Sequence, residues 1–179
     1  MTHVLVTPAL ITPRLLLRPF EHEDAPALAL LLNDPGVAMG ICNAPLPFTH
    51  LHASARILMI LAREVAGKDF VWAVENMEGN LIGNLGISES PTGTMRVGYA
   101  YARDHWGQGY ASEALIAVLE WASRNLDCGQ IHADVFHDNP VSARVLAKVG
   151  FVETGNGARF SLARNGSEVT RTFVLPQAA

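Results

Sequence analysis

The spacing of apolar residues changes period several times along the chain, and each change marks an element. Leu15 to Pro19 alternate like a strand that Pro19 closes. Asp24, with Pro26 in the next turn, opens a helix that Ala27 to Leu32 continue and Asn33-Asp34-Pro35-Gly36 stops. From Thr49 to Ala66 the period is helical again. Leu51, Ala55, Leu58, Met59, Ala62 and Val65 fall on its apolar face, and Gly67 is the C-cap. Three strands follow, Phe70 to Glu75, Leu81 to Ile87 and Met95 to Ala102, with turns at Asn76 to Asn80 and at Pro91-Thr92-Gly93. Ala111, Leu115, Val118, Leu119, Ala122 and Leu126 form a helical stripe, and Ile131 to Phe136 a strand. Asn139-Pro140 caps and opens another helix, with Val141, Val145 and Val149 on its buried face and Gly150 at its end. Phe151 starts a strand, and Val169 to Leu175 are the last. The order β-α-α-β-β-β-α-β-α-β-β describes a mixed sheet carrying helices, in the α/β class with α+β character. It is neither a doubly wound repeat nor a bundle. With no repeat or linker, residues 1–179 read as one domain with its core over about 12–175.

Composition narrows the functions. Hydrophobic residues make up 49% and charged residues 17%, a globular balance. A net charge of −4 argues against general nucleic-acid binding but leaves room for a local basic patch. Cys42 and Cys128 give neither a disulfide framework nor a metal spacing. His50 and His52 alternate and point apart, so no metal is expected. The start MTHVLVTPALITPRL lacks the basic, long-apolar character of an export signal, and no apolar run reaches the roughly 18 residues of a membrane span. The expectation is a cytoplasmic protein without membrane attachment.

The chemistry gathers at DHWGQGYASEAL, where Gly107 and Gly109 precede a helical pattern. The ATP-type loop requires a Lys and a Ser or Thr that are absent here. The dinucleotide fingerprint requires a third Gly or Ala where Ser112 stands, in a leading βαβ unit rather than after antiparallel strands. Two readings remain: a plain tight turn, or backbone N–H groups at a helix N-terminus that hold a pyrophosphate.

The pair WGQGYASEA and NPVSARVLAKVGF, with TPRLLLRPFEHEDAPAL before them, resembles the GNAT acetyltransferase superfamily and within it the RimJ/RimL-like branch. The likeness spans about Thr12 to Leu175. It implies a mostly antiparallel sheet, splayed at an acetyl-CoA site, with helices on both faces. It also implies an N-acetyltransferase whose acceptor is a protein N-terminal amine or a small-molecule amine. The chain is read as a monomer, or as a homodimer paired through the sheet edge of its C-terminal strands. By the resemblance the turn residues Trp106, Gly107, Gln108, Gly109, Tyr110, Ala111 and Ser112 hold the pyrophosphate, while Trp106 can equally pack beneath the turn. A backbone N–H at Tyr101 or Ala102 faces the thioester. Asn139 meets the pantetheine arm or simply caps its helix, and Ser142 meets the sulfur and protonates the departing thiolate or is a first-turn serine without a task. Tyr99 and Tyr101 share one sheet face, as strand packing or as lining of the acceptor pocket. Arg103, Arg144 and Lys148 are candidates for the 3′-phosphate.

One departure matters. Two residues before Gly98, where the family often has a Glu that serves as base, this chain has Arg96. Glu89 and His137 are the substitutes, since a carboxylate or an imidazole can take up a proton directly or through water, with His137 open to a simple surface role. Arg96 can instead recognise an acidic group of the acceptor. Glu113 is expected to satisfy its own helix N-terminus, and Arg14 and Arg18 to be solvated edge charges. A non-catalytic acyl-CoA-binding module and a nicotinamide-dependent enzyme are the rival classes.

Overall fold

Side-chain alternation in the central strands builds two cores, one on each face of a single sheet. In the computed structural model, which describes residues 5–90, 92–126 and 129–176, Phe70, Trp72 and Val74 of β3 (Asp69–Asn76) join one core while Val71 and Ala73 join the other. The other strands are β1 (Leu10–Ile11), β2 (Leu15–Pro19), β4 (Leu81–Glu89), β5 (Met95–Tyr101), β6 (Ile131–Phe136), β7 (Val152–Ser161) and β8 (Gly166–Leu175). Their order across the sheet is β1-β2-β3-β4-β5-β6-β8-β7. Neighbours run antiparallel except β5 and β6, which are parallel and need a crossover helix.

That crossover is α4 (Tyr110–Asn125), which packs with α5 (Pro140–Val149) on the Trp72 face. Trp121 of α4 meets Trp72 edge-on at 5.1 Å and Phe70 at 5.0 Å, geometries that aromatic quadrupoles favour. The opposite face carries α1 (Ala25–Asn33), α2 (Pro35–Ala38) and α3 (His50–Val65). The sheet is thus mixed, mostly antiparallel and covered on both faces.

Three local readings change. The buried face of α3 is Ala53, Ile57 and Ile60; Leu51, Leu58, Met59 and Val65 are exposed. This helix has apolar residues on two sides, so periodicity finds a stripe without saying which one meets the sheet. In α5 the buried residues are Ala143 and Leu146, Val145 and Val149 pack at the margin, and Val141 is exposed. Asp34 does more than end α1: its carboxylate accepts from Gly36 N at 2.7 Å and Val37 N at 3.3 Å, capping α2. Pro91 and Cys128 lie outside the described residues.

The edge arginines are paired. Arg18 donates to Asp24 Oδ1 at 2.7 Å and Oδ2 at 2.8 Å, and to Glu75 Oε1 at 2.6 Å, tying β2 and β3 to the start of α1. Burial pushes the Asp24 carboxyl up, but bonds from Arg18 and from the Glu21 N–H outweigh it and hold it below its ordinary value. A lowered folded-state pKa stabilises the fold above the ordinary Asp value, and that contribution fades as acid protonates the group. Arg18→Met, which leaves two carboxylates without their cation, is expected to cost about 2 kcal/mol in urea unfolding at pH 7. The difference from wild type should shrink below about pH 4.

Candidate active site

β5 and β6 bond only at Met95–Ile131 and Arg96–His132, and then part. Beyond that point a cavity of about 600 Å³ opens beside Tyr99 to Tyr101, the glycine turn and the start of α5. A second cavity, of about 350 Å³, lies beside β4, β5, β6 and α3. Gly40, Ile41, Tyr99, Ala100 and Ser142 line both, so the two meet at the gap between the strands.

The parting leaves backbone groups without a ladder partner. Ala102 N–H donates to Ile82 O on β4 at 2.8 Å. Bonding direction alternates along an antiparallel strand, so the Tyr101 N–H points away from β4 and toward the gap. Ala102 is therefore already used, and Tyr101 is the residue with a free donor. Its carbonyl is taken by the Trp106 indole, whose Nε1–H donates at 2.7 Å. Trp106 neither packs in the core nor stands free; it latches the glycine turn to the end of β5.

The turn itself is built for φ > 0, with Gly107 at 74° and Gly109 at 84°, the latter as N-cap of α4. The first N–H of α4 with a backbone acceptor is that of Glu113, to Gly109 O at 3.1 Å. The N–H groups from Gly107 to Ser112 have no acceptor among the described residues. Gly107, Gly109, Tyr110, Ala111 and Ser112 line the larger cavity together with Trp106. Gln108 does not: its side chain donates to Asp104 O at 3.0 Å and its carbonyl accepts from Arg14 at 2.9 Å.

Glu113 is the brace. It accepts from Thr12 Oγ1 at 2.7 Å, Arg14 N at 2.9 Å and Arg14 Nε at 2.7 Å, so it ties α4 to the edge of the sheet rather than satisfying its own helix. Burial raises its carboxyl, but those donors outweigh it and hold it below the usual range. The Arg14 guanidinium also lies 4.6 Å from the centre of the Tyr110 ring.

At the start of α5, Asn139 Oδ1 accepts from Ser142 N at 3.1 Å, so the cap uses the oxygen, and the amide lines the cavity beside Gly40. Ser142 Oγ lies 2.9 Å from Tyr99 Oη. Burial pushes the Tyr99 phenol up to about 12 against the opposing effect of that bond. Pairing with Ser142 makes Tyr99 a site residue that the strand pattern alone leaves unassigned. Tyr101 Oη is buried without a partner, and burial raises its phenol further. His137 is exposed and lines neither cavity. Glu89 pairs with Met95 at the far end of β5 and also lines neither. Arg144 and Lys148 border the larger cavity, whereas Arg103 binds Asp34 Oδ1 at 2.8 Å and does not. Arg164, unremarked in the sequence, lines it while holding Asp138 at 2.9 Å and Met39 O at 2.7 Å.

A mixed sheet parted at one parallel pair, with a free-amide turn beside the gap, is the architecture of an acyltransferase. The chain belongs to the GNAT acetyltransferase family: the model described as "Acetyltransferase (GNAT) domain" matches residues 14–152. The uncharacterized N-acetyltransferase p20 of Bacillus licheniformis is 33% identical over 153 residues, covering 82% of this chain and 83% of that one. Among solved structures, the ribosomal-protein-S5-alanine acetyltransferase of Vibrio fischeri superposes with a TM-score of 0.79 at 21% identity, over 93% of this chain and 95% of that one. RimJ of Mycobacterium smegmatis, solved in complex with CoA-disulfide, gives 0.78 at 22%, over 92% and 85%. No helix among the described residues is long and apolar enough to cross a membrane.

Because Gly109 holds a left-handed conformation, Gly109→Ala is expected to lower stability by about 1–2 kcal/mol, read as a reduced urea midpoint with unchanged slope.

Proposed function

We propose that the protein transfers the acetyl group of acetyl-CoA to a primary amine, with a protein or peptide N-terminal α-amine as the leading acceptor, by direct attack in a ternary complex. The observation that carries this reading is the meeting of two cavities across the parted strands at Tyr99, Ala100 and Ser142. A donor held in one and an amine held in the other would face each other there, and proximity supplies much of the rate.

The free amides from Gly107 to Ser112 suit a pyrophosphate, helped by the positive end of the α4 dipole and by close backbone approach. No lysine is required within the turn, and Arg144 and Lys148 supply positive charge at the rim. The pantetheine arm would lie along β5, where the strands have parted, with Asn139 beside it. Tyr101 N–H is the donor for charge developing on the thioester oxygen. Trp106 stabilises that arrangement by fixing the carbonyl of the same residue. As the new C–N bond forms and the C–S bond breaks, Ser142 Oγ–H is the proton donor to the departing thiolate, with Tyr99 Oη behind it.

The amine must arrive neutral. An α-amine near pKa 8 has a usable neutral fraction at physiological pH, whereas a lysine amine near 10.4 has little. With Arg96 where the family often has a Glu, and with His137 and Glu89 outside both cavities, an α-amine whose proton leaves to water fits best.

Thiol release from acetyl-CoA, measured with peptides and small amines, tests the reading. Turnover with a peptide bearing a free N-terminus, and none after that terminus is blocked, is the expected result. No release with any primary amine would overturn it. Ser142→Ala is expected to lower kcat about a hundredfold, with a smaller change in KM, and Tyr99→Phe to lower it less. Full kcat in both variants would remove the pair from the leaving-group role.

A further inference from the structure

The smaller cavity has a charge pattern that acetyl transfer alone does not explain. Three guanidiniums, Arg56, Arg96 and Arg159, face one carboxylate, Asp134. Arg96 and Arg159 both grip Asp134 through the same oxygen, Oδ2, with Arg159 Nε at 2.9 Å. Arg56 has no carboxylate partner among the described residues and bonds only Asn43, at 2.9 Å through Oδ1. A guanidinium is charged at neutral pH, so Arg56 brings a full positive charge to the cavity. The cavity therefore keeps an excess of positive charge while the whole chain is acidic.

Its polar atoms are also unfinished. Arg96 Nε, Asn84 Oδ1 and Thr170 Oγ1 are buried with no hydrogen-bond partner, and all three residues line this cavity. Asn84 is 4% exposed and Thr170 1%. A buried unpaired donor, a buried unpaired acceptor and a buried unpaired hydroxyl in one cavity are a steep desolvation cost unless something fills it. The donor on a guanidinium calls for an anion, and the amide oxygen calls for an N–H. Gly98, which also lines the cavity, has open space where a Cβ would stand, and Gly86 lets Val71 pack close to the sheet.

We propose that this cavity binds an acceptor carrying a carboxylate close to its primary amine, on the same residue or the next. The arginines bind the carboxylate, and Asn84 Oδ1 accepts from the amine end. At about 350 Å³ the cavity suits a unit of one or two residues rather than a long side chain. Two sources share this chemistry: a peptide with an acidic N-terminal residue, and a free amino acid. The proposal rests on the acetyl-transfer reading only for what happens to the amine; recognition of the acid stands on the cavity itself.

Steady-state transfer is measured for a C-terminally amidated peptide beginning with aspartate against its asparagine twin, and for free aspartate against asparagine amide. Calorimetric titrations of the same four compounds give Kd without turnover. The expected result is at least a tenfold lower KM and Kd for the acid member of a pair. Preference in the peptide pair points to an N-terminal acceptor, and preference in the amino-acid pair alone to a small-molecule one. Arg56→Gln, which orphans no carboxylate and so should fold, is expected to reduce the acid-to-amide ratio about tenfold, and Arg56→Lys to restore part of it. Equal Kd for acid and amide in both pairs overturns the proposal. So does a ratio unchanged in Arg56→Gln. If no amine is acetylated, the acetyl-transfer reading fails, and the titrations still decide the cavity's preference.

Discussion

β5 and β6 are neighbours in the middle of the sheet, yet they exchange bonds at only two positions before they separate. A central strand that loses its partner must do something with its exposed amides and carbonyls, because buried backbone groups left unpaired are costly. Here one carbonyl, that of Tyr101, is capped by the Trp106 indole, and its N–H faces the gap. Ser142 and Tyr99 bond each other across the opening, and the ion pairs of Asp134 with Arg96 and Arg159 close its narrow end. The two cavities exist because the sheet is allowed to open, and the helices on each face are placed to line them.

Two carboxylates do comparable mechanical work on opposite sides of that opening. Glu113 joins the glycine turn to the segment before β2 through Thr12 and Arg14. Asp134 joins β6 to β5 and β7 through Arg96 and Arg159. Both are held by several donors at once, which fixes them better than a single surface pair would. The smaller cavity is thereby anchored to three strands and the turn to the short link between β1 and β2, a condition for holding reacting groups within a fraction of an ångström.

Apart from the short β1 and α2, the element order was legible in the sequence, as were the three consecutive strands, the glycine turn and the cap at Asn139, because each is a local pattern. What was not legible depended on partners far apart in the chain. The apolar stripe of α3 was visible, but Ile57 and Ile60 rather than Leu58 and Met59 face the sheet, and only packing decides between two apolar sides. Arg96 was visible as a missing acid, while Asp134, 38 residues later, reaches its side only through the parallel crossover. Glu113 had the look of a helix-terminus residue because Thr12 and Arg14 lie about a hundred positions away. The Trp106 latch and the Tyr99–Ser142 pair are likewise invisible to periodicity, because each joins residues on different elements or across a turn.

The three tryptophans divide in an instructive way. Trp72 and Trp121 are stacked edge to face in the core, whereas Trp106 is 44% exposed and bonded to the strand that borders the gap. A soluble quencher such as iodide therefore reaches one indole out of three. The quenchable part of the emission reads out the junction of turn and strand above a constant, unquenched contribution from the core, so the molecule carries its own optical probe at the spot where its sheet comes apart.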